Sequence, residues 1–77
     1  MSTLLRMQTI FRDVLDEPSM QLAPDMSIED TPDWDSVAMI QIVLAVEAEF
    51  DIRLTGEQVE GIRTVADIVA LAQNGTS

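Results

Sequence analysis

The sequence predicts an all-α fold, a bundle of three main helices and one short helix in a single domain spanning residues 1–77. Three observations predict it. Apolar residues recur at intervals of three and four in three separate stretches. Capping residues, prolines or glycines bound each stretch. The chain has only 77 residues, enough for one small core.

The first stretch runs from about Thr3 to Asp16 and places Leu4, Met7, Ile10, Phe11, Val14 and Leu15 on one face. Ser2 or Thr3 can cap its start. Glu17-Pro18 stops it, because proline disfavours helical backbone in the residue before it. An irregular stretch follows over 18–35, with Pro18, Pro24 and Pro32. It keeps Met20, Leu22, Met26, Ile28 and Trp34, which a polar linker would not, so it is expected to pack on the core with Trp34 as an anchor.

Asp35 or Ser36 opens the second main helix, which continues to about Phe50. Ile52 and Leu54 then alternate with polar residues in a short extended link. Thr55 to Gly61 reads as one or two capped helical turns. Thr64-Val65-Ala66-Asp67 has the shape of a capping box, with Asp in place of Glu. It opens a last helix to about Gln73, which Asn74-Gly75 ends; the tail beyond is expected to fray.

The second helix has two apolar faces. Met39, Ile42, Val43, Val46 and Phe50 form one stripe, expected to face the core. Val37, Ile40, Gln41, Leu44, Glu47 and Ala48 form the other. A helix apolar all round is normally buried, yet a chain this short has few elements to cover both sides. Either the first helix, the last helix and the long loop cover both faces, or Val37, Ile40 and Leu44 stay exposed. In the second case they form a docking patch rimmed by acid, with Asp35 before the helix and Glu47 and Asp51 towards its end.

Composition narrows the function. Fourteen acidic residues face four basic ones, a formal charge of −10 at pH 7. Such a chain is a poor ligand for nucleic acid and for anionic membrane surfaces. No apolar run is long enough to span a bilayer, and the N-terminus shows no signal-peptide pattern, so a cytoplasmic location is expected; the chain is also expected to be a monomer. The chain lacks His, Cys, Lys and Tyr. That removes the usual nucleophiles, general bases and zinc ligands, and the protein is expected not to be an enzyme. Asp30, Asp33 and Asp35 do not make a calcium loop: the glycine is missing, and counting from Asp33, Leu44 stands at the twelfth position. The methionines read as core filler.

Ser36 sits where the acidic loop becomes the second helix. A serine there is usually an N-cap. It is no hydrolase nucleophile, since no Gly-x-Ser-x-Gly elbow and no histidine accompany it. It can instead be a covalent attachment point, with a negatively charged group facing the positive end of the helix.

Trp34-Asp35-Ser36-Val37, followed by a helix ending in Glu47-Ala48-Glu49-Phe50-Asp51-Ile52, resembles the acyl carrier proteins. In these, Asp-Ser-Leu opens a helix that closes in Glu-x-Glu-Phe. The resemblance covers nearly the whole chain. It implies an acyl-carrier-like bundle modified at Ser36 with 4'-phosphopantetheine by a separate phosphopantetheinyl transferase. The arm's thiol would carry acyl groups as thioesters. It also implies an acyl-loading ligase or transferase and synthase enzymes as partners, with basic surfaces that meet Asp35, Val37, Ile40, Gln41, Leu44 and Glu47.

Val37 departs from the family's leucine, and Ala38, Gln41 and Ala48 stand where carriers of primary fatty-acid synthesis are richer in acid. Together with Trp34, these features resemble free-standing carriers of specialised polyketide, lipid or surface-glycan pathways. An aminoacyl or peptidyl carrier fits less well, because Pro32-Asp33-Trp34-Asp35 replaces the expected Gly-Gly. The reading from another class is an unmodified acidic module whose second helix docks in a partner's groove.

Overall fold

Ser2 accepts a hydrogen bond from Leu5 N at 3.2 Å and starts helix α1, Thr3–Val14. In the computed structural model, which describes residues 2–75, three more helices follow: α2 (Ser36–Phe50), α3 (Gly56–Glu60) and α4 (Val65–Gly75). Helix α1 ends two residues short of the expected Asp16. Leu15 caps it, and Asp16 turns into the left-handed region at φ 55°, which reverses the chain before Pro18. The frayed tail expected beyond Gly75 lies outside the described residues.

The long loop packs inward as its apolar residues require. Leu22 and Trp34 are buried, and Met20, Met26 and Ile28 pack against the core. Backbone bonds stitch the loop to the segment entering α4: Ile28 N to Arg63 O, Val65 N to Met26 O and Ala66 N to Pro24 O. The loop thus satisfies its backbone groups without secondary structure of its own. The pairing of Ser27 with Thr64 is an isolated antiparallel bridge.

Helices α1, α2 and α4 pack against one another, and α3 lies apart from this three-way contact. One continuous hydrophobic cluster joins them, with Met7, Phe11, Ile42, Val46, Val65 and Ile68 almost fully buried. Trp34 is the largest buried side chain. Its ring meets Phe11 edge to face, centroids 4.9 Å apart and planes at 84°, an arrangement worth about 1 kcal/mol beyond area burial.

Of the stripe expected inward on α2, Ile42, Val43, Val46 and Phe50 are buried. Met39 is only half-buried, and Ala38 takes the buried place at that end. Met39 instead lines a cavity together with Val59 and Glu60 of α3. Arg6 clamps the far end of α2. Its guanidinium bonds the Glu49 carboxylate and the Glu49 carbonyl, each at 2.9 Å, and lies 4.2 Å from the Phe50 ring centroid.

Candidate functional site

Asp35, not Ser36, is the N-cap of α2: its Oδ1 accepts from Ala38 N at 2.9 Å. This frees the Ser36 hydroxyl from capping. Ser36 is the first helical residue, exposed, and its side chain makes no hydrogen bond among the described residues. Ser19 is also exposed, but it lies in the loop and starts no helix. Phosphate beside Ser36 would meet the positive end of a 15-residue helix.

Next to Ser36 opens a cavity of about 500 Å³ between the loop, α2 and α3. Its apolar walls are Ile28, Trp34, Met39, Ile40, Val59 and Ile62; Asp35, Ser36 and Glu60 supply the polar lining. A second cavity of about 370 Å³ shares Ile40, Val59 and Glu60 with the first and extends to Leu44 and Leu54. Together they trace a groove along the α2–α3 side.

The other face of α2 is exposed as the second arrangement requires. Val37, Ile40 and Leu44 are 64%, 61% and 60% exposed and follow one another along the helix. Gln41 is exposed beside them. Glu47 continues the row but is half-buried, and its Oε2 accepts from Leu54 N at 2.8 Å. It therefore holds the segment that leads into α3, a duty its sequence position did not reveal. Asp51 closes the helix in the left-handed conformation at φ 55°. Leu44, Glu47, Asp51 and Arg53 border a further groove there.

Sequence reasoning brought together Asp35, Ser36, Val37, Ile40, Gln41 and Leu44 on one exposed side. It missed Ile28 from the long loop and Val59 and Ile62 from the end of α3 and just beyond it, two segments far apart in the chain that meet only in three dimensions. No signal local to any of them marks the cavity. Among the described residues, no cluster of acidic side chains is arranged to hold a metal ion, and no helix is long and apolar enough to cross a membrane.

The family model of the phosphopantetheine attachment site matches residues 6–72. The acyl carrier protein of Acidothermus cellulolyticus is 33% identical over 67 residues, covering 87% of this chain and 80% of that one. The meromycolate extension acyl carrier protein of Mycobacterium tuberculosis is 37% identical over 57 residues, 74% of this chain and 49% of its own length. This chain thus spans about half of that relative. The solution structure of a holo acyl carrier protein from Geobacter metallireducens superposes with a TM-score of 0.88 at 27% identity, covering 97% of this chain and 86% of that one.

The chain belongs to the phosphopantetheine-attachment family. Within it, the fold and the relatives make it an acyl carrier protein, a carrier and not a catalyst, whose prosthetic group is a covalently attached 4'-phosphopantetheine. Interaction with a phosphopantetheinyl transferase and with biosynthetic enzymes follows from the family.

Proposed function

We propose that Ser36 is the attachment residue, and that the ridge Val37, Ile40, Gln41, Leu44 and Glu47, with Asp35 at its head, is the face read by partner enzymes. The observation that carries this is the division of labour at the start of α2. Asp35 does the capping, and so an exposed, unbonded hydroxyl stands beside an apolar cavity.

The arm would supply the thiol that this cysteine-free chain lacks. The protein's own residues do the rest. The helix start favours the phosphate charge. The apolar ridge gives a partner contact area, and the surrounding carboxylates favour a basic partner surface with a salt-dependent association rate. Tethering raises the effective concentration of each intermediate at the partner's active site. The weak acidity of α2 around Ala38, Gln41 and Ala48 supports a specialised pathway over the general fatty-acid pathway, and likeness to a meromycolate extension carrier is in keeping with it. A monomeric, cytoplasmic, one-domain carrier completes the proposal.

The test is intact-mass measurement after incubation with coenzyme A and a promiscuous phosphopantetheinyl transferase. The native chain and Ser19→Ala are expected to gain one phosphopantetheine, and Ser36→Ala none. A native chain that gains nothing, or a gain that survives Ser36→Ala, refutes the assignment.

A further inference from the structure

We propose that the groove between α1 and α2 is a second docking site, fitted to a basic amphipathic helix of a partner protein. It lies apart from the cavity beside Ser36, and the inference does not rest on the assignment of that serine.

The groove holds about 380 Å³. Ile10 and Val14 of α1 and Ala45 and Ala48 of α2 line it, with Asp13 and Glu49 as its carboxylates. The Arg6–Glu49 pair joins the start of α1 to the end of α2, so the two helices run in opposite directions along it. The alanine methyl groups leave space between the two helices, where a third helix seats its side chains. The lining spans roughly 8 Å of helix axis. That length admits an apolar residue of the occupant and a second residue one turn away.

Charge names the second residue. Asp13 is exposed, and its side chain makes no hydrogen bond or ion pair among the described residues. It stands in the last turn of α1, where a carboxylate opposes the helix dipole, so it costs stability rather than adding it. None of the four arginines compensates it. Arg6 is bound to Glu49, and Arg12 turns to the Met20 carbonyl at 2.6 Å. Arg53 and Arg63 border other cavities. The groove therefore has one carboxylate fixed by its own arginine and one left for a visitor's cation. It fits a helix with an arginine or lysine one turn from an apolar side chain. A second copy of this chain, at −10, would set carboxylates against carboxylates and does not fit.

Position says what such a grip is for. Ala45 stands roughly 14 Å along α2 from Ser36. Ala48 also borders the groove of Leu44 and Glu47, so the site adjoins the ridge of α2. A helix seated between α1 and α2 holds the carrier by its far end and leaves the start of α2 uncovered.

The experiment titrates the full chain, without its arm, with a synthetic amphipathic helix that bears leucines on one face and arginines one turn away. Backbone amides and alanine methyl groups are followed by NMR. Shifts are expected at Asp13, Ala45, Ala48 and Glu49. In Asp13→Asn the Kd should rise roughly 2- to 5-fold, the worth of one exposed ion pair. Asp25→Asn removes the same charge from the exposed loop and should leave the Kd unchanged. Asp13→Asn should melt no lower than the native protein, so binding falls while stability does not, a split that a merely structural aspartate would not show. With glutamines in place of the peptide's arginines, native and Asp13→Asn proteins should bind alike. Shifts confined to Val37, Ile40 and Leu44, equal losses in Asp13→Asn and Asp25→Asn, or no binding at all overturn the proposal.

Discussion

Removing the Glu47 carboxylate separates its structural duty from its place on the docking ridge. Its Oε2 accepts from Leu54 N at 2.8 Å, in a half-buried position between the end of α2 and the segment entering α3. Glu47→Ala deletes the acceptor and leaves Leu54 N without its partner. A hydrogen bond to a charged group contributes about 1.5–3 kcal/mol; partial exposure and water access reduce this to about 1–2 kcal/mol. At roughly 4–8 °C per kcal/mol for a domain of this size, Glu47→Ala should melt several degrees below the native protein. Glu47→Gln keeps an amide oxygen for Leu54 N and loses the charge, so it should recover most of the stability. Thermal unfolding by circular dichroism measures both, and hydrogen exchange at the Leu54 amide reports the contact directly. A Glu47→Ala protein with the native melting temperature and native Leu54 exchange refutes the argument. Binding of a partner enzyme should respond differently: Gln and Ala should weaken it alike if the charge is what the partner reads.

Asp67 accepts from Arg63 N and Thr64 N at 2.9 and 3.1 Å, and these backbone bonds hold its carboxyl below its ordinary pKa. Asp67→Ala should cost about 0.5–2 kcal/mol at neutral pH. Because the folded value is the lower one, the contribution is present above the ordinary carboxylate range and lost as pH falls through the folded value. Melting curves of native and variant should therefore converge in acid, and a gap that widens as pH falls contradicts the assignment. Asp51 holds a φ of 55°, where glycine is at ease. Asp51→Gly should raise stability by about 0.5 kcal/mol, and urea unfolding showing a loss would sink the claim of strain. With 14 carboxylates against four arginines, moderate salt or magnesium should raise the melting temperature by relieving self-repulsion. A fall would contradict that.

The sequence by itself determined the helices and their starts, because these signals are local, whereas α1 stops two residues before the expected Asp16 and α4 runs on through Asn74-Gly75. Three- and four-residue spacing marks α1, α2 and α4. Ser2 starts α1, Thr55 with Gln58 builds the capping box of α3, and Thr64 with Asp67 opens α4. Ser36 at the start of α2 was legible for the same reason, as were the Trp34-Asp35-Ser36-Val37 run, the Glu47 to Ile52 ending and the acidic charge that resemble a carrier.

Only the tertiary structure decided whether the second apolar face of α2 is covered as well. That helix is apolar nearly all round, so periodicity points one stripe inward without saying whether the opposite one finds a neighbour. With α1, α4 and the loop packed on it, α2 buries Ile42, Val43, Val46 and Phe50, and Ala38 rather than Met39 near its start. The cavity beside Ser36 likewise joins residues far apart in the chain, and the Glu47 tie to Leu54 spans the end of α2 and the link that follows it. Local pattern records how a segment folds on itself. The partner it meets, and the polar group it leaves unpaired, depend on how all the segments share one small interior.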